Sequence, residues 1–193
     1  MLLKKGFTLI ELLVFLAIFS VLSVMITTVL ISFFRNENKI AAINNVRQYG
    51  SAIIDNFERD VRASQDLTRP DPPSICGALV DDCLNINITD PTEGTVTVVW
   101  RCKRQTFDTV ERLILTREST HPATGYVAVE SEVTNGQVGI SLTSCTDIFT
   151  VLGSLGSSKL VNLKFTLQSN PGSGQESSAQ VPFQTSVSTR NEK

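Results

Sequence analysis

Proline is missing from the first 69 residues of this 193-residue chain, and charge is almost missing from Phe7 to Phe34. Without proline, nothing in that N-terminal third forces a helix to break. The single charge between Phe7 and Phe34 is Glu11. Histidine occurs once, as His121 beside Pro122, which excludes a multi-histidine metal site. No C-x-x-C is present, which argues against a zinc ribbon or a thioredoxin-like centre. Neither G-x-S-x-G nor a P-loop occurs. No nucleophile pairs recognisably with His121. The chain therefore reads as a non-enzyme, and no cofactor or metal is expected. With 17 basic and 19 acidic residues the formal charge is −2, so no overall basic field points to nucleic acid.

What is present is one long apolar run. Lys4 and Lys5 form a basic head, Gly6 follows, and 28 residues from Phe7 to Phe34 come next. As a helix that run is about 42 Å long, at about 1.5 Å per residue. About 20 such residues cross the hydrocarbon core of a bilayer. A secretory signal peptide would have a shorter apolar region and an A-x-A-like cleavage site, which this stretch lacks. A plain signal anchor fits the length, with Lys4 and Lys5 holding the N-terminus inside. It leaves Gly6 and Glu11 without a reason, because a lone carboxylate in the apolar core costs several kcal/mol or demands a partner.

The string KKGFTLIELL, Lys4–Leu13, supplies the reason. It resembles the N-terminus of the type IV pilin family, which includes the pseudopilins of type II secretion. The matching residues are Lys4, Lys5, Gly6, Phe7, Thr8, Leu9, Ile10 and Glu11. The resemblance implies cleavage between Gly6 and Phe7 by a prepilin peptidase on the cytoplasmic side. It also implies N-methylation of the new Phe7 terminus. Gly6 presents no side chain to a protease approaching its backbone. After cleavage, Phe7 carries a positive amine at a helix end that already bears positive partial charge. Glu11 lies at i+4 from Phe7, on the same helix face. The family likeness favours a role for Glu11 between subunits, neutralising an incoming neighbour and setting the axial register, with Thr8 adding a hydrogen bond. Major pilins often carry a helix-breaking proline in this run; this chain does not.

Beyond Phe34 the helical beat continues. Ile40, Ile43, Val46, Gly50, Ile53, Ile54, Phe57 and Val61 recur at three- and four-residue intervals among polar residues. One helix from about Phe7 to Ser64 is expected, with Gly50 a close-packing site rather than a hinge. Arg69–Pro91 holds four prolines and reads as a loop or a set of short turns. Asp81, Asp82 and Asp90 within it match no EF-hand spacing and read as a solvated acidic turn.

From Thr95 the period changes to two. Strands are expected near Thr95–Lys103, Val110–Glu118, Tyr126–Val133, Leu160–Gln168 and from Ala179 onward. Asn135-Gly136 signals a type I′ hairpin leading to Gln137–Cys145. Phe149–Leu155 is ambiguous, and Pro182 marks an edge or a bulge. Four cysteines allow three pairings. A local Cys76–Cys83 staple of the proline-rich stretch is preferred, leaving Cys102 and Cys145 to bridge. Arg101, Lys103 and Arg104 form the one compact basic cluster, flanked only by Trp100 and Phe107.

The expected architecture is α+β, a long N-terminal helix packed on a mainly antiparallel sheet domain. It divides into a leader (1–6), a membrane or filament-core helix (7–34), an amphipathic continuation (35–64) and a β-rich domain (65–193). The resemblance implies a subunit held in the inner membrane, with its N-terminus cytoplasmic and its domain outside. Its implied partners are other pilin or pseudopilin subunits, the prepilin peptidase/N-methyltransferase, the inner-membrane assembly platform and membrane lipid; nucleic acid is not expected. Loss of the leader leaves 187 residues and a formal charge of −4. AIFSVLS, FERDVRAS and the closing FQTSVSTRN are similar to minor pseudopilins of the J type and W-type minor pilins. Tip subunits of the K type usually lack the acid present here as Glu11. The alternatives are a membrane-anchored binding domain without a filament role and a DNA-uptake pilin.

Overall fold

A computed structural model describes residues 8–71, 76–77, 79–90, 94–107, 109–120, 129–134, 139–153, 158–169 and 178–189. Its first element is one helix, α1 (Leu9–Ala63), of 55 residues and about 82 Å. Thr8 caps its start in extended conformation, and Arg62 in the last turn complements its C-terminal dipole. Ser64 ends it: its backbone turns extended and its buried hydroxyl donates to the Val61 carbonyl at 2.6 Å.

The sheet has nine strands: β1 (Asp66–Thr68), β2 (Val80–Asp90), β3 (Gly94–Phe107), β4 (Val110–Thr120), β5 (Val129–Glu132), β6 (Ile140–Leu142), β7 (Phe149–Leu152), β8 (Leu160–Ser169) and β9 (Ala179–Ser188). All described pairings are antiparallel. The order runs β1-β2-β3-β4-β6-β8; β5 extends along β4, β7 lies beside β8, and β9 closes the far edge of β8. The α+β architecture is therefore the one the residue pattern implies.

The second half of α1 covers one face of this sheet. Ala42, Val46, Gly50, Ile53, Phe57, Asp60, Val61 and Ser64 are its buried positions. Against them pack Leu84 and Ile86 of β2, Val98 and Trp100 of β3, Phe149 of β7, and Val161, Leu163 and Phe165 of β8. Phe57 is the hinge pin of this core, edge-on to Trp100 at 5.6 Å and stacked on Phe149 at 6.0 Å. Ile40, counted in the stripe by periodicity, is instead exposed. It lies on the α1 turn before the first position that reaches the sheet.

Two other expectations are corrected. The stretch read as loop from Arg69 to Pro91 contains β2, eleven residues paired with β3 from Val80 to Asp90. Its alternation of Leu84, Ile86 and Ile88 with Asn85, Asn87 and Thr89 is a strand pattern that the surrounding prolines and aspartates masked. The segments on either side of Asn135-Gly136 do not pair with each other. β5 and β6 both run antiparallel to β4, in the same direction along its length. Asn135-Gly136 itself lies outside the described residues, as does His121. The ambiguous stretch after Ile148 is strand β7, and Pro182 sits on the edge strand β9 in unbroken register opposite Thr166.

Disulfides join Cys76 to Cys83 and Cys102 to Cys145. The first ties the segment before β2 to that strand. The second fastens β3 to the loop after β6, across a sequence separation of 43.

Gly50 faces the ring of Phe183 on β9, which is itself stacked on Phe165 at 5.2 Å. A Cβ at position 50 would fall within that ring. Gly50→Ala is therefore expected to destabilise the domain by about 1–3 kcal/mol of overpacking, offset by about 1 kcal/mol of helix propensity. A lower midpoint of thermal unfolding, followed through Trp100 fluorescence, checks this. Adding Phe183→Leu should recover part of the loss.

Candidate assembly helix and its membrane span

The first half of α1 touches nothing in the domain. Its large apolar side chains from Leu9 to Phe34 are 47–77% exposed, on every side of the helix. A helix apolar all round is stable only inside something apolar. This is the one described helix long and apolar enough to cross a membrane. Soluble monomers rarely expose apolar patches beyond a few hundred Å². A contiguous surface of 19 such positions demands lipid or other helices.

Three of the hydroxyls inside this segment are satisfied within it. Ser20 donates to the Ala17 carbonyl, Thr27 to that of Ser23 and Thr28 to that of Met25, each at 2.8 Å. A hydroxyl bonded back to its own helix asks for no water and no partner. These three hydroxyls therefore move with the helix between apolar surroundings without losing a partner.

At its start, Thr8 and Glu11 form a reciprocal cap. The Glu11 carboxylate accepts from the Thr8 N–H at 3.0 Å and the Thr8 hydroxyl at 3.1 Å. The Glu11 N–H donates to Thr8 Oγ1 at 3.4 Å. This is the capping box, and it places the only charge of the run in the first turn, where the helix dipole favours an acid. Thr8 and Glu11 are therefore together. Lys4, Lys5, Gly6 and Phe7 lie outside the described residues.

The joint between helix and sheet carries a feature not picked out from the residue pattern. Asp60, 5% exposed, accepts from Trp100 Nε1 at 2.9 Å on β3. It also accepts from Arg117 Nε at 2.7 Å and Nη2 at 2.9 Å on β4. This two-pronged contact raises the Arg117 pKa against the opposing effect of burial. The sequence held one signal: Asp60 falls three residues after Phe57, in phase with the buried stripe. Nearby, Glu58 accepts from Thr185 on β9 and from Arg62, and both bonds hold its pKa below the usual carboxylate range.

The remaining charged candidates are held by opposite charges. Arg101 pairs with Glu118, Lys103 with Glu130 at 2.7 Å, and Arg104 with Asp81 at 3.0 Å. The basic cluster thus brings its own counter-charges rather than a face for phosphates. Asp82 is buried against Arg69 at 3.1 Å and accepts from the Phe149 N–H. With Asp81 turned to Arg104 as well, these acids do not converge on a cation. Among the described residues no group of three potential ligands could hold a metal.

Comparison with known proteins gives one finding. Residues 1–27 match the family model described as the prokaryotic N-terminal methylation motif. Neither a curated protein nor a solved structure gives a significant match to the chain.

Proposed function

We propose that this chain, carrying the N-terminal motif of the type IV pilin family, is a prepilin-type subunit of a pilus-like filament. Prepilin peptidase cleaves it between Gly6 and Phe7 and methylates the new terminus. The first half of α1 then stores the subunit in the inner membrane, and the same surface packs against sister helices after assembly. The observation that carries this reading is the continuity of α1: the matched motif opens a helix that is exposed and predominantly apolar from Leu9 to Phe34, and whose second half buries one stripe against a sheet domain.

Both states of the helix are apolar, so transfer between them is close to neutral in hydrophobic energy. Glu11 supplies direction, as an acid offered to the amine of a neighbouring subunit. Thr8 orients that acid. Residues 35–64 and the β-rich domain from 65 onward are what the helix carries. Within the family, the minor J-type and W-type subunits are the best fit. The paired state of Arg101, Lys103 and Arg104 weighs against a DNA-uptake role.

Mass spectrometry of the purified protein tests the reading. The expected N-terminal peptide begins with N-methylated Phe7. An intact Met1 leader, in a host shown to process another prepilin, overturns it.

A further inference from the structure

The apolar run of α1 is longer than the hydrocarbon core of a membrane is thick, so its depth has to be chosen by something. Leu9–Phe34 spans about 39 Å as a helix, against about 30 Å of hydrocarbon. The helix could slide by about six residues and remain spanning. Its two ends differ in what they offer at an interface. The far end finishes in Phe33 and Phe34, an edge-on ring pair at 6.3 Å. Directly behind come Arg35 and Lys39, one turn apart on one face, with Glu37 on the opposite face. Aromatic rings seat at the headgroup level, and cations just beyond them reach phosphates.

We propose that Arg35 and Lys39 bind phospholipid headgroup phosphates on the side of the membrane that carries the β-domain, and so fix the depth at which α1 is stored. Arg35 offers a planar fork that matches a phosphate, and Lys39 a point charge beside it. With Phe34 at that boundary, about 20 residues of hydrocarbon reach back to Phe15. A tilt of about 20° moves the boundary only to about Leu13. Glu11 and Thr8 then lie beyond the core, in the opposite headgroup layer. The acid that looked misplaced in a span is stored outside the hydrocarbon, with its cap intact. Drawing the subunit toward the domain side has to break the phosphate contacts first. The inference rests on the membrane-anchored reading and not on the filament.

The test uses the full chain in phosphatidylethanolamine/phosphatidylglycerol vesicles with its four native cysteines disulfide-bonded. Ile10→Cys and Phe15→Cys each take a fluorescent label, and lipids bearing quenchers at graded depths report its position. The label at position 10 is expected at headgroup depth and that at position 15 at the edge of the hydrocarbon. Adding Arg35→Gln and Lys39→Gln should move the position-10 label toward the bilayer centre by roughly one helical turn. Phosphate-free vesicles of digalactosyl lipid should do the same to the unaltered helix, and phosphatidylcholine should not. A position-10 label already in the hydrocarbon, or one that ignores both the double substitution and the loss of phosphate, overturns the proposal. Unchanged Trp100 fluorescence shows that the domain is intact in each variant. N-terminal processing at Phe7 is read separately, so failure here leaves the filament reading standing.

Discussion

Glu11→Ala is expected to insert into the membrane as the unaltered chain does, and to be recovered with sister subunits at least about tenfold less in filament pulldowns. Insertion depends on the 20 apolar residues between Leu9 and Phe34, which the substitution does not touch. The cap it removes is worth about 0.5–2 kcal/mol of local helix stability, too little to unfold a helix held by lipid. Tenfold corresponds to only about 1.4 kcal/mol. On the proposed reading, a neighbour's amine left without its acid in an apolar filament core forfeits more than that. Glu11→Gln separates the two roles of the side chain. Gln can still accept from the Thr8 N–H and hydroxyl, where the carboxylate now sits at 3.0 and 3.1 Å. If Glu11 only caps its helix, Gln restores recovery. If its charge recruits a neighbour, Gln fails like Ala. Recovery of Glu11→Ala at the unaltered level would remove the assembly role altogether.

How much was legible in the residues depends on the range of the interaction that decides each feature. The helix was, because proline absence and a three- and four-residue beat act within one turn. The strands β3, β4, β8 and β9 were, because alternation and β-branched content act along one segment. β2 was obscured by its neighbours: prolines and paired aspartates punctuate the sequence, yet Asp81 pairs with Arg104 at the surface and Asp82 is buried against Arg69. The relation of β5 to β6 is not a local property at all. Both choose the edge of β4, which is long enough to hold them end to end, and no turn signal between them can announce a third strand. The motif at the N-terminus is the opposite case. On the proposed reading, leader charge, small residue, aromatic and acid meet enzyme and membrane one after another, and such a series can be written as a string. Asp60 needs Trp100 and Arg117, 40 and 57 positions away, and only its phase on α1 betrayed it.

That buried joint sets the second large effect. Asp60→Ala is expected to destabilise the domain by about 3 kcal/mol, near the low end for breaking a buried pair. The low end applies because the Arg117 side chain is 30% exposed and water reaches part of what is left behind. The loss has two sources. Arg117 keeps its charge in a half-buried site with both carboxylate bonds gone, and the indole N–H of Trp100 loses its acceptor inside the core. For a domain of this size the unfolding midpoint should fall by roughly 10 °C. Trp100 is the only tryptophan, so its emission reports the site directly. Asp60→Asn, which keeps an acceptor for the indole but not the charge, should fall between the two. Replacing Arg117 by Leu in the Asp60→Ala background should restore part of the stability, because the cost lies in the orphaned cation rather than in the missing attraction. A midpoint unchanged by Asp60→Ala would mean that apolar packing around Phe57 alone fastens α1 to the sheet. If instead the joint fails, α1 no longer carries a fixed domain with it, and on the proposed reading the helix should still assemble. Membrane insertion and Phe7 processing should then remain normal, while the domain becomes susceptible to protease.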